Sequence, residues 1–289
     1  MDDCKSGTGS PNETLEVMDE IDSCMATGGF STKGYVVSGE DPPKELTKDG
    51  RSVPCGGTKW FTNGDFVKLN INLNFNRKFR GRRSKENADV IPEDLTMEDC
   101  ASIVAGIFDL PGRAAPIVAG LKADISILHK RHLDWKDPIP AELREIWVSN
   151  FGLIQDLGEV EFRRAVVPED ALDLDITTID TADASEDLIC SAIYARFKLK
   201  SGKYSCQLIF ARSKIIHDLT IPRAELAAAL LNATTGFVVQ RALKDLHKGC
   251  VKVTDSQVAL HWINCVRGVL KTWVWNRVIE ILRLTELAS

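Results

Sequence analysis

From about residue 165 to residue 264 the apolar residues change period in a fixed order, and that order limits the folds open to the chain. Leu172–Asp180 reads as a strand carrying Ile176, Ile179 and β-branched threonines; Leu188–Leu199 and Tyr204–Ala211 read as two more, joined by the turn Lys200-Ser201-Gly202-Lys203. Pro222 opens a helix where its missing N–H costs nothing, and apolar residues then recur at helical spacing from Ala224 to about Lys244. Val251–Val253 reads as a short buried strand, and Ser256–Asn264 as a helix. Three strands, a helix, a strand and a helix predict an antiparallel meander extended by one parallel strand, an α+β or α/β mixed sheet with flanking helices.

Three acids stand at junctions of that pattern: Asp183 after the first strand, Glu225 in the first turn of the long helix, and Asp255 after the fourth strand. In this topology they converge on one edge of the sheet. Carboxylates from different elements suit Mg²⁺ or Mn²⁺, and two such ions about 4 Å apart can activate water against a phosphodiester and stabilise the leaving oxygen. Each acid also has a local role open to it: a turn cap for Asp183, a helix-dipole partner for Glu225, a helix N-cap for Asp255. His217 and His261 lie near the same edge, and neither is assigned to the site.

The first 165 residues read differently. A turn at 7–12 leads into a helix with Leu15, Met18, Ile21 and Met25 on one face, capped by Asn12 or Thr14 and stopped by Gly28-Gly29. Phe30–Ser38 reads as a strand, 39–52 as a loop, and Thr62-Asn63-Gly64-Asp65 as a hairpin turn whose second strand alternates from Val67 to Phe75. Thr96–Arg131 reads as two helices parted at Phe108–Gly112, with Thr96 as N-cap; Ala141–Asn150 reads as a third.

With 44% hydrophobic residues and a net charge of −5, overall charge does not draw the chain to nucleic acid, so local patches must. Arg77, Lys78, Arg80, Arg82, Arg83 and Lys85 form such a patch, readable as a solvated loop or as a phosphate-contacting strip. The eight cysteines show no metal-binding spacing and are expected to be reduced thiols in an intracellular protein. No signal peptide opens the chain, and no apolar run is expected to reach membrane-spanning length.

Several words in the sequence resemble the ribonuclease H segment of BEL/Pao-type LTR retrotransposon polyproteins in order and spacing. They are Ala182–Glu186, Leu219–Leu231, Thr254–Ile263 and Asn276–Ile281. Ile107-Phe108-Asp109, Leu133-Asp134-Trp135 and Pro138-Ile139-Pro140 resemble the family's connection region, and Met1-Asp2-Asp3 resembles the tail of a reverse transcriptase Tyr-Met-Asp-Asp turn.

The resemblance implies three segments: 1–95, the end of a reverse transcriptase palm with a hairpin; 96–165, a helical thumb and connection; and 166–289, a ribonuclease H-like domain lacking its C-terminal end. It implies cleavage of RNA in RNA–DNA hybrids through Asp183, Glu225 and Asp255 with Mg²⁺ or Mn²⁺, alongside other parts of the polyprotein. Asp2 and Asp3 are then vestigial polymerase acids, without activity. Cys190 stands where the family usually has glycine, and the family's fourth acid lies beyond residue 289, so weak or absent activity is expected. Two alternatives stay open: an inactive relic or nucleic-acid-binding module, and a Pao-type aspartic peptidase using Asp180-Thr181-Ala182.

Overall fold

The computed structural model describes residues 7–8, 10–76, 89–265 and 270–286. Asp2, Asp3 and the whole Arg77–Lys85 strip lie outside the described residues. The chain divides into two compact units: residues up to Asn70 with Gly158–Ala165, and Ile71–Leu157 with Val166 onward.

In the first unit, helix α1 (Pro11–Thr27) is capped not by Asn12 or Thr14 but by Ser10, whose hydroxyl accepts from the Glu13 amide at 3.3 Å. Residues 30–37 form no strand. Positive φ angles at Gly29 and Gly34 take the backbone out of the extended region. The Tyr35 hydroxyl and Thr32 instead reach back to α1, bonding the Met18 carbonyl and Asp22. Strands β1 (Ser52–Cys55), β2 (Thr58–Phe61), β3 (Phe66–Leu69) and β4 (Phe162–Arg163) pair antiparallel in that order. The expected hairpin forms at Asn63-Gly64, with Phe61 stacked on Phe66 across its mouth at 4.7 Å.

The second unit holds helices α2 (Met97–Ala105), α3 (Ala115–Lys130) and α4 (Ala141–Glu159). Thr96 caps α2 in a reciprocal capping box with Asp99. Alternation from Val67 to Phe75 predicts one long strand, but β3 stops at Leu69. Leu73 and Phe75 are instead buried against α2–α4, where Phe75 meets Phe151 edge to face at 4.9 Å. Helix α4 runs nine residues past the expected Asn150 because Phe151, Ile154 and Leu157 continue its buried stripe.

Strands β5 (Ile176–Ala184), β6 (Leu188–Lys198), β7 (Tyr204–Ile215) and β8 (His247–Val253) form a sheet in the order β7-β6-β5-β8. The first three are an antiparallel meander, and β8 joins β5 in parallel. Helix α5 (Ile221–Leu243) packs on one face of β5 and β6. Its Ala224, Ala228, Asn232 and Gly236, four residues apart, turn to the sheet, and Leu226, Ala233 and Phe237 turn to α7 (Thr272–Glu286). The short α6 (Gln257–Ile263) lies between β8 and α7 in sequence.

Two expectations need correction. Strand β8 is longer than expected and mostly exposed, because among the described residues it pairs only with β5 and its outer edge is open. By length and composition, Ile221–Leu246 also reaches what a membrane span requires. Its buried Glu225, Asn232, Thr235 and Gln240, and its packing between sheet and α7, make it a core helix.

The α2–α3 turn docks on β7: the Ala211 amide donates to the Pro111 carbonyl at 2.8 Å, and a Cβ on Gly112 would come within 2.0 Å of the Ala211 oxygen. Gly112 also sits at φ +75°, a conformation that glycine adopts without strain. Gly112→Ala is therefore expected to lower stability by about 2–4 kcal/mol, while Gly120→Ala, in open space on α3, should raise it by about 0.5–1 kcal/mol. Denaturant titration of the two variants tests this, and equal effects would contradict the docking.

Candidate metal centre

Topology brings the three acids together. Asp183 is the penultimate residue of β5, on its exposed register opposite Cys190 of β6. Glu225 lies one turn inside α5, not in its first turn, and only 9% of it is exposed. Asp255 sits in the short link between β8 and α6. One carboxylate oxygen from each lies within 4.8 Å of the other two.

The local roles open to these acids in the sequence are only partly taken up. Asp183 Oδ1 accepts from the Ala184 amide at 2.8 Å and keeps its second oxygen for other partners. Ser256, not Asp255, caps α6, accepting from the Ala259 amide at 3.2 Å, so the Asp255 side chain is released from that duty. Glu225 Oε2 is buried with no hydrogen-bond partner. A buried, unpaired carboxylate oxygen among two further carboxylates fits a hard divalent cation, which takes oxygen ligands and offsets their mutual repulsion. Asp183, Glu225 and Asp255 would hold it.

Electrostatics agree. Burial, then the charges of Asp183 and Asp255, push the Glu225 pKa above the usual carboxylate range. Cys190 borders the site: its thiol lies 3.5 Å from the Asp183 carbonyl, and its pKa is raised by burial and then by Asp183. The cysteine leaves the β5–β6 register unbroken. His217 and His261 are both exposed, and neither joins the cluster.

Asp180, the acid of the peptidase alternative, lies mid-strand and not in a turn. Its side chain is fully buried under α5, paired with Lys252 Nζ at 2.9 Å and contacted by the Cys250 thiol at 3.2 Å. A Cβ on Gly236 would approach its Oδ2 to 2.6 Å. The partners of Asp180 are an ammonium and a thiol, where a proton-sharing pair requires a second carboxylate. This buried pair, together with the bonds from Asn232 to the Thr181 carbonyl and to Ser191, was not visible in the sequence. Asn232 and Gly236 continue the four-residue stripe of Ala224 and Ala228, and a polar residue and a glycine on that stripe are the signal that could have located it.

A family model described as Pao retrotransposon-like RNaseH-like domain matches residues 96–256, more than half of the chain. No curated protein matches the sequence. Among solved structures, the N-terminal RNase H domain of a Mycobacterium tuberculosis protein, fused to maltose binding protein, aligns at 10% identity and TM-score 0.28, over 39% of this chain and 76% of that one. RNase H1 from the halophilic archaeon Halobacterium salinarum aligns at 12% identity and TM-score 0.23, over 39% and 78%. A foamy viral protease-reverse transcriptase in complex with double-stranded DNA aligns at 14% identity and TM-score 0.47; the match covers 97% of this chain and 42% of that one.

Two outcomes follow from these contacts. Lys252→Met leaves Asp180 charged, buried and unpaired, and should cost about 2–3 kcal/mol, Lys252 being itself partly exposed. An unchanged unfolding midpoint would show the pair to be idle. Because the Glu225 pKa is raised, the folded state without a cation loses stability as pH rises from the ordinary glutamate value through the raised one. Cation binding needs the ionised acid and strengthens over the same interval. Mn²⁺ should thus raise the unfolding temperature more at neutral than at mildly acid pH. In chelator at neutral pH, Glu225→Gln should raise that temperature, and it should remove most of the Mn²⁺ effect. Equal Mn²⁺ shifts in the variant and the parent chain would place the ion elsewhere.

Proposed function

The chain belongs to the Pao retrotransposon-like RNaseH-like domain family, and from that premise we propose that it is a divalent-metal-dependent endonuclease that cuts the RNA strand of RNA–DNA hybrids. The convergence of Asp183, Glu225 and Asp255 from a strand, a helix and a loop carries this reading. Bound Mg²⁺ or Mn²⁺ would supply an activated water and stabilisation of the leaving oxygen.

The protein's own part is to hold three carboxylates in register before any substrate arrives. Helix α5, pressed on the sheet through Ala224 and Ala228, fixes Glu225 from the buried side. Asp183 and Asp255 are exposed, so the site opens outward and can receive a polymer, unlike a closed small-molecule pocket. Discrimination for RNA needs a contact to the 2′-hydroxyl beside the cut. On the same reading the segment before residue 96 is the end of a reverse transcriptase, residues 96–165 form its connection, and the whole belongs to a longer retroelement polyprotein in the cell interior.

Cleavage of a labelled hybrid by purified protein in Mg²⁺ or Mn²⁺ tests the proposal. Asp183→Asn, Glu225→Gln and Asp255→Asn should each reduce cleavage by more than the ~10–100-fold typical of losing a group that only supports a metal ligand. A hybrid with 2′-deoxy sugars at the cut should resist. Cleavage that survives all three variants, or a folded protein that binds hybrid without cutting it, would overturn the nuclease reading; the second result would leave a binding module.

A further inference from the structure

Away from the acids, at the first turn of α5 and on its α7 side, two arginines share one indole. The Arg277 guanidinium lies 3.5 Å from the Trp273 ring centroid and that of Arg223 lies 5.4 Å from it. Such stacking holds a cation by the ring's negative face and leaves the N–H edge of the guanidinium directed outward. Arg277 uses one N–H on the Trp273 carbonyl, at 3.0 Å, and keeps the others.

Among the described residues neither arginine has an ion-pair partner. The nearest acid along α7, Glu280, is already engaged by Arg283 in two hydrogen bonds of 2.6 and 2.8 Å. Burial, and then the charge of Arg223, lower the pKa of Arg277. Two half-buried like charges held side by side without a counter-charge raise the free energy of the free protein, and an anion bridging them returns it.

We propose that Arg223 and Arg277, clamped on Trp273, form a contact site for a backbone phosphate of the nucleic acid whose bond the three acids cut. The proposal rests on the nuclease reading for the identity of its ligand. Arg223 and Glu225 are two residues apart on α5, about 3 Å along its axis and on nearly opposite sides. The site therefore stands about one helix diameter, roughly 10–12 Å, from the acids, a distance that about three nucleotides span at 3.4 Å rise. The arginines would hold a phosphate that flanks the cut and so set the register of the strand.

The test is the binding of a labelled RNA–DNA hybrid, without cleavage, by the full chain over a range of salt concentrations. Arg223→Gln, Arg277→Gln, Arg223→Lys and Arg277→Lys are compared, with unfolding temperature and Mn²⁺ binding read for each. Each Gln variant should lower the slope of log affinity against log salt by about 0.9, the value for one phosphate contact. Affinity at low salt should fall about tenfold, with Mn²⁺ binding unchanged. The Lys variants, which lose the stacked fork but keep the charge, should retain the slope even where their stability drops. Unchanged slopes in both Gln variants, or equal losses in Gln and Lys variants, would overturn the arginine site and leave the nuclease reading standing. Slopes that change as expected in a protein that cuts no hybrid would uphold the site and overturn the nuclease. A parent chain that binds no hybrid would overturn both.

Discussion

The close seating of α5 on the β5–β6 sheet is the constraint on which the rest of this unit depends. Ala224, Ala228 and Gly236 let the helix backbone approach, and Asn232 ties it down through the Thr181 carbonyl and Ser191. A helix held at that depth drives Glu225 into a mostly buried position beside the sheet end, where it faces Asp183 and Asp255. The same depth buries Asp180 and requires Lys252, reaching from the edge strand, to neutralise it. One buried acid meets a lysine inside the fold; the other meets two further carboxylates where the fold opens, and each keeps one buried oxygen without a hydrogen-bond partner. That difference separates a structural carboxylate from a candidate ligand.

The order of elements in this unit was legible because strand and helix periods differ sharply and because Pro222, Gly202 and Ser256 punctuate them. The three acids were legible for the same reason, since each marks a junction. What the sequence hid was set by tertiary contact. Leu73 and Phe75 alternate like a strand, yet they leave the ladder to fill a helical core. Phe30–Ser38 has strand-like composition, but Gly34 and the bonds of Tyr35 to α1 give it other partners. Val251–Val253 looked buried because its residues are apolar, whereas an edge position exposes them. The Asp180–Lys252 pair and the Arg–Trp–Arg cluster join residues 72 and about 50 positions apart, and no local period encodes such distances.

Charge is arranged in opposition across α5. Its sheet side gathers carboxylates that favour a cation; its α7 side gathers guanidiniums that favour an anion. A chain whose net charge is −5 cannot attract a polyanion by its overall field, and a nucleic acid would have to be met by separate contacts of this kind. The sheet and helices thus act as a frame that holds oppositely charged groups at fixed separation, and on the proposed reading the repulsion inside each group would be released on binding.

The most direct test is an anomalous diffraction experiment on crystals grown with Mn²⁺. The account predicts a peak between Asp183, Glu225 and Asp255, within coordination distance of all three carboxylates, and no such peak in crystals of the Glu225→Gln protein. Bound manganese elsewhere, with Glu225 Oε2 still unpartnered, would contradict it.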